Sequence, residues 1–539
     1  MGTLASRSPA VRGVDRFLLA GCLVILGITI LYPTLRLVAA ALMAWNWNAL
    51  LHRPGAAATT NTLIISLASV LTAGVTGTAV AIAVTQFRFP GRQTLAALAY
   101  LPFTLPPLVG VLSFYYLIGR DGLLPRFLHQ VWGYDAAVPG VAAILIIHTY
   151  SFFVFFYAMA APALENLDRA QVEAARTLGA GPVRAFFHVT LPLLRPALVG
   201  AALLTFMSSG ASFSAPYFFG EDFPMLSVAI YNARGEYDNS AALTLTLALA
   251  GVSLLGLALF RGRAHPAAGA SKGAPAPLKR RGTRWAAGVA AWACILLLLV
   301  PHFNILWLSL INYREWRTEL LPTAFTLDNY RSIFAQPANL RPIWNSVWMS
   351  GTACGAVLAV SLPAGYLIGR RRPGSRWVNG LAMVPWALPG TVIAINLIVA
   401  FNDPWMPVYN TVWMLPLAYF VRNVPLLTRV AGAAIEPFDA TLLEAGQTLG
   451  AGRLFCFSRI VLPLIGPAIA AGLALVFATC LGEFVASILL YLPSNVPIAI
   501  KINMDWRTSA GVAFAYSVLL MVLVAATFGL SRRFKSRVL

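Results

Sequence analysis

Two stretches, Glu173-Ala-Ala-Arg-Thr-Leu-Gly179 running on to Leu191-Pro192 and Glu444-Ala-Gly-Gln-Thr-Leu-Gly450 running on to Leu462-Pro463, decide the architecture of this chain. They lie 271 positions apart in constant register. Each sets a carboxylate, a glycine and then a Leu-Pro pair in a basic segment flanked by very apolar ones. Self-similarity of that length at a fixed offset is the mark of a tandem duplication.

The flanking segments identify the solvent. Apolar residues make up 59% of the 539 positions, charged residues 11%, and the mean hydropathy is +0.74. Such a composition exceeds what a water-soluble domain carries. A bilayer core of about 30 Å needs roughly 20 apolar residues per helical crossing. On that measure the chain has twelve spans, at 16–43, 62–84, 95–119, 138–163, 192–214, 241–261, 285–312, 344–368, 377–402, 410–432, 463–487 and 511–531. The runs lack the alternation of barrel strands, so the class is all-α.

Arginines set the orientation, because retained cytoplasmic loops are enriched in them. Arg12, Arg16, Arg88, Arg92, Arg176, Arg184, Arg370, Arg371, Arg372, Arg376, Arg459, Arg532 and Arg533 all fall on one side of the twelve-span scheme. Both termini are therefore expected in the cytoplasm. The net charge of +20 has its explanation in these topogenic residues near anionic lipid, and no nucleic-acid partner is expected. The apolar run from Phe17 to Ala44 is longer than the core of a cleaved signal peptide and reads as a retained span. The five cysteines support neither a disulfide framework nor a metal cluster.

The duplication reaches beyond the opening pair. Asn61-Thr62 opens the second span as Asn345-Ser346 opens the eighth, and Leu101-Pro102 with Pro106 is echoed by Val384-Pro385 with Pro389. The division that follows is a first repeat at 1–261, a linker at 262–284 rich in Ala, Gly, Pro, Lys and Arg, and a second repeat at 285–539. Each repeat has six spans in the same order starting inside, so the halves are parallel and related by a pseudo-twofold axis along the membrane normal.

At this point the residues resemble a family. The two cassettes, at 165–192 and 436–463, are similar to the cytoplasmic EAA loop of ABC importer permeases, whose pattern is Glu-Ala-Ala, three residues, Gly, nine residues, Ile-x-Leu-Pro. Val189 stands at the isoleucine position of the first copy and Ile460 at that of the second, and the second copy reads Glu-Ala-Gly. The resemblance covers nearly the whole chain and implies the type I importer permease fold. It implies that Glu173, Ala174, Ala175, Gly179 and Pro192, and likewise Glu444, Ala445, Gly446, Gly450 and Pro463, form coupling helices that dock on cytoplasmic ATPases. Two loops imply two ATPase copies, with an extracytoplasmic solute-binding protein on the other side, in a bacterial inner membrane. Fused double permeases are typical of the iron(III)-type branch, and thiamine, polyamine, phosphonate and sugar-phosphate importers share the fold.

The residue types suit that role. Ala170, Ala174, Ala175 and Leu178 recur at helical spacing, Gly179 suits a left-handed exit, and Gly181-Pro182 suits the start of a second short helix. A phosphate-binding loop needs Gly-Lys before Ser or Thr, and no lysine of this chain follows a glycine. No cofactor is expected on the chain itself, and any ATP and Mg act on separate subunits.

Aligning the halves sets Ser212 and Phe213 on Glu483 and Phe484, late in the fifth and eleventh spans. With Tyr217 and Ser487 they form the candidate translocation path. Glu483, an ionisable residue inside a span, would favour a cationic or metal-bearing solute if it lined that path, and would otherwise be a carboxylate hydrogen-bonded to a neighbouring helix. Segments 217–240, 312–342 and 492–508, with Trp316 and Trp506, are candidate outer surfaces for the binding protein. A twelve-span secondary carrier would share the parallel halves but needs coupling carboxylates within its spans.

Overall fold

The computed structural model describes residues 9–52, 54–134, 137–260, 276–277, 281–312, 315–316, 319–437 and 441–536. In chain order the long helices and bent pairs among the described residues are α1 (Gly13–Met43), α2 (Gly55–Gln86), α3 (Arg92–Thr104 with Pro107–Trp132), α4 (Gly140–Glu165), α5 (Pro182–Gly210), α6 (Asn239–Leu259), α7 (Arg281–Ser309), α8 (Pro337–Gly369), α9 (Ser375–Ala387 with Gly390–Phe401), α10 (Met414–Ile435), α11 (Ser458–Leu481) and α12 (Ala510–Leu530). Nine of these are long and apolar enough to cross a bilayer unaided. The tenth helix is 22 residues long but carries Arg422, Asn423 and Arg429, which lowers its hydropathy.

Spans three and nine, continuous in the sequence reading, are broken. Their halves bend by 103° in α3 and 113° in α9. The breaks fall at Leu105-Pro106-Pro107 and Leu388-Pro389, where Leu105 and Leu388 are extended. Proline lacks the donor that would continue the helix and drives the residue before it out of the α region.

A related device recurs in a milder form. Three π turns, Gly27–Leu31, Phe186–Thr190 and Phe457–Val461, each end two residues before a proline, at Pro33, Pro192 and Pro463. In the first two the following amide, of Tyr32 and of Leu191, reaches back to the carbonyls of Gly27 and Phe186. The widened turn makes room for the ring while the helix continues.

The chain forms two compact units that do not follow the repeat boundary. One comprises residues 1–45 and 327–539, the other residues 46–326. Each six-helix unit thus takes one span from the opposite repeat, α1 in the first unit and α7 in the second. The expected linker at 262–284 lies largely outside the described residues, and α7 already begins at Arg281.

The borrowed helices are held differently. In the first unit α1 is pinned by ion pairs, Asp15 to Arg372 at 3.3 Å and Arg36 to Asp403 at 3.2 Å. In the second unit the hydroxyl of Ser113 donates to the carbonyl of Pro301 at 2.9 Å. Asn304 donates to the Ser113 carbonyl at 3.0 Å, and Tyr150 donates to that of Leu298 at 3.0 Å.

Within each unit the helices approach closely where a side chain is missing. A Cβ at Gly77 of α2 would strike the backbone of α4, and one at Gly365 of α8 would strike Ala431 and Gly432 of α10. In lipid, where apolar burial gives no advantage to helix association, such contacts and interhelical hydrogen bonds hold the bundle.

The duplicated Asn-Thr and Asn-Ser pairs have a common structural reason. Asn61 donates to the carbonyl of Pro224 at 3.0 Å, and Asn345 to that of Val496 at 3.0 Å. The hydroxyls of Thr62 and Ser346 accept from the amides of Leu226 at 3.0 Å and Ile498 at 2.8 Å. These bonds cap helices Leu226–Gly235 and Ile498–Asp505. Segments 217–240 and 492–508 are consequently packed, with Leu226, Ile230, Ile498 and Ile502 fully buried. Trp316 and Trp506, which lie in the candidate outer segments, are buried as well.

Candidate functional site

The first cassette folds as helix, turn, helix. The Asp168 side chain accepts from the amide of Ala170 at 3.0 Å and caps the helix Arg169–Thr177. Its far end is closed by Gly179 at φ 86°, with the amide of Gly179 bonded to the carbonyl of Arg176 and that of Ala180 to Ala175, each at 3.0 Å. This double bond around a left-handed glycine is the Schellman stop, and a residue with a Cβ would be strained there. Helix Pro182–Ala185 follows and runs through the π turn into the rest of α5.

The second cassette repeats the geometry. Helix Thr441–Thr448 ends at Gly450 with φ 84°, and the amide of Ala451 bonds to the carbonyl of Gly446 at 3.0 Å. Helix Arg453–Cys456 and its π turn lead into α11. Both loops present apolar side chains to solvent, most of all the leucine before each glycine: Leu178 is 89% exposed and Leu449 88%. Val183, Phe187, Leu442 and Phe455 are exposed around them. Matched apolar residues held out by a rigid turn have the form of a docking knob for another protein.

The Glu-Ala-Gly departure has a packing cause. A Cβ at Gly446 would lie 3.1 Å from the sulfur of Cys456 and 3.1 Å from Cδ1 of Ile460. The corresponding residues of the first copy are Ala175, Ala185 and Val189. The second copy gains a sulfur and a methyl group and loses a methyl in exchange, so the loop keeps its shape.

The candidate path residues follow α5 and α11, Tyr217 and Ser487 in the short helices Ser214–Phe219 and Ser487–Leu490 and the rest in the connections before them. Phe213 is buried and stacks on Tyr217 with centroids 5.2 Å apart, while Tyr231 meets both rings edge-on. Ser212 bonds to Nε2 of His148 at 2.9 Å, and the other ring nitrogen lies 3.0 Å from the Ser69 hydroxyl and 3.1 Å from that of Ser209. Phe484 and Ser487 are buried too, and the Ser487 hydroxyl lies 2.8 Å from that of Tyr419.

Glu483 does not present its charge. Its side chain is 5% exposed, one oxygen forms an ion pair with Nε of Arg422 at 2.8 Å, and the other accepts from the amide of Ala486 at 3.0 Å. Of the two readings left open for Glu483, this geometry matches the carboxylate bonded to a neighbouring helix: it is held in an ion pair, and the more exposed partner is the guanidinium, 38% exposed.

Arg422, twelve residues inside the expected span 410–432, carries a signal of its own that sequence reasoning misses. His148 and Tyr419, at equivalent positions in the two halves, gave no comparable signal. A histidine and a tyrosine in apolar runs are indistinguishable from ordinary core until their partners are known.

The family model described as "Binding-protein-dependent transport system inner membrane component" matches residues 73–262 and again 361–539. A probable ABC transporter permease protein of Sinorhizobium fredii is 29% identical over 88% of this chain and 87% of its own length. A ferric transport system permease protein of Actinobacillus pleuropneumoniae is 27% identical over 79% of this chain and 63% of its own length. A sulfate transport system permease protein of Salmonella typhimurium is 32% identical over 40% of this chain and 78% of its own length.

Proposed function

Because this chain belongs to the binding-protein-dependent transport system inner membrane components, with the family domain present twice, we propose that it is a double permease subunit of an ATP-driven importer, moving its solute by alternating access. The observation that carries this reading is the pair of identically stopped cassettes, each holding an exposed leucine beside a left-handed glycine. Glu173, Ala174, Ala175, Gly179 and Pro192, with Glu444, Ala445, Gly446, Gly450 and Pro463, form the two attachment points. One ATPase subunit docks at each, and ATP and Mg act there. Both termini face the cytoplasm.

A solute-binding protein delivers the cargo from outside. Closure of the ATPases pulls the cassettes, and the rigid continuation of each loop into α5 and α11 carries that motion into the membrane. Ser212, Phe213 and Tyr217, with Glu483, Phe484 and Ser487, sit in the connections and short helices that those two spans lead into and move with them. The repeats at 1–261 and 285–539, joined by 262–284, supply one cassette each.

The cargo is of the iron(III) type, a reading supported by the ferric permease relatives that match most of this chain. Proteoliposomes holding the permease, its ATPase and a ferric binding protein should accumulate radiolabelled iron only with ATP inside. Uptake driven by an ion gradient without any ATPase would instead indicate a secondary carrier.

A further inference from the structure

The two arginines of α10 supply an element that the sequence reading did not contain. Arg422 and Arg429 are seven residues apart and share a face of the helix, about 10 Å from one another. Both meet the broken span α9, one on each side of its break. Nη1 of Arg422 lies over Gly390, the first residue of the outer piece, where a Cβ would collide with it. Nε of Arg429 donates to the sulfur of Met383 in the inner piece at 3.2 Å.

Charge along this face is one-sided. Glu483 pairs with Arg422, but it is buried behind the guanidinium and engages Nε alone, leaving the two Nη groups. No carboxylate pairs with Arg429 among the described residues. Thr391, next to Gly390 and fully buried, holds a hydroxyl that has no protein partner. The outer piece of α9 adds the positive end of a twelve-residue helix at the break.

The duplicated half shares the twelve-residue helix after its break, Pro107–Ile118, but lacks the charged groups. At the aligned positions it has Ser151 for Arg422, Ala158 for Arg429, Ser212 for Glu483 and Pro107 for Gly390. The changes are concerted: the glycine that admits the guanidinium, the arginine and its buried counter-charge occur together in one half only. An arginine within a membrane span is costly unless it faces a wetted path, and a guanidinium held by its Nε keeps its fork free for a planar oxyanion.

We infer that Arg422, oriented by Glu483, and Arg429 form an anion track through α10 and α9, which receives a carboxylate, phosphate or sulfate group of the passing solute. On the importer reading, on which this inference rests, the cargo crosses as an anion or an anionic chelate and not as a bare cation.

The test uses the permease with its ATPase in phosphatidylcholine nanodiscs. Modification of Arg422 and Arg429 by p-hydroxyphenylglyoxal is followed by peptide mass spectrometry in sodium sulfate, in sodium citrate and in sodium chloride of equal ionic strength. Both arginines should react in chloride, and sulfate or citrate should slow the reaction at Arg422 and at Arg429 roughly tenfold. Equal rates in all salts, or no reaction at Arg422, would overturn the track. Protection that appears only in phosphatidylglycerol discs would assign the guanidinium to a lipid headgroup and overturn it as well.

Arg422→Gln with Glu483→Gln removes the pair without leaving a buried charge. This variant should stay assembled and lose the protection at Arg429, whereas Arg422→Lys should keep part of it. Failure of the unaltered complex to take up solute with ATP would remove the importer reading but leave the footprint as measured, so the two outcomes are separable.

Discussion

A methyl group added at Gly446 would lie 3.1 Å from the sulfur of Cys456, in the core of the second cassette. That contact is a few tenths of an ångström too close, and the sulfur is confined because Cys456 is buried. Alanine gains about 1 kcal/mol over glycine in a helix, while overpacking costs about 1–3 kcal/mol. Gly446→Ala should therefore be neutral to mildly destabilising. With Cys456→Ala added, which recreates the Ala175–Ala185 pair of the first copy, the gain should emerge as a higher unfolding temperature in detergent. A double variant no more stable than the single one would refute the compensation.

Leu178 and Leu449 test the attachment points without touching the fold. Each is almost fully exposed, so Leu178→Asp and Leu449→Asp should leave the unfolding free energy within about 0.5 kcal/mol of the parent, as surface changes do. Together they should abolish co-purification of the ATPase and cut ATP-driven uptake by more than roughly tenfold, the scale of one lost interface anchor. Retained binding by the double variant would move the interface elsewhere.

What could be read from the residues divides along a physical line. Repeated signals, such as the cassettes, their left-handed glycines and the Asn61 and Asn345 pairs, were legible because the duplication states each constraint twice. The breaks in α3 and α9 were half legible. Their prolines stood in the sequence, but hydropathy is blind to backbone direction, and a span bent by 113° scores like a straight one. The exchange of α1 and α7 was not legible at all, because it depends on contacts between segments hundreds of residues apart. Glu483 stands out in the sequence with both a path-lining and a helix-bonded reading open, and the choice between them is not legible because its partner Arg422 lies 61 residues away on another helix.

That pair makes its own prediction. Glu483→Gln leaves a guanidinium with no counter-charge in a membrane span. Breaking a fully buried pair costs about 3–5 kcal/mol, and the 38% exposure of Arg422 brings the expected cost down to roughly 1–3 kcal/mol. Ser212→Ala, at the aligned position in the other half, removes only the bond to His148 and should cost about 1 kcal/mol. Chemical denaturation of each unit, followed by hydrogen exchange of α10 and α4, would separate the two. Equal loss at both positions would mean that the charge on Glu483 has no special role.

The clasp on α1 offers the sharpest contrast, because its two ion pairs differ in burial while joining the same helix to the same unit. Asp15 and Arg372 are 13% and 12% exposed, and Tyr366 joins them, accepting from Arg372 at 2.7 Å and donating to Asp15 at 3.3 Å. Arg36 and Asp403 are more open. Removing one partner of the inner pair strands a charge in a closed site and should cost about 3 kcal/mol, against at most about 1 kcal/mol at the outer pair. Arg372→Ala should thus release the inner end of α1, seen as faster amide exchange from Asp15 to Cys22 and easier proteolysis of the N-terminal segment. Arg36→Ala should leave both unchanged. If the two variants behaved alike, α1 would be held by its apolar face, through Leu26, Ile30 and Leu37, with the ion pairs contributing little.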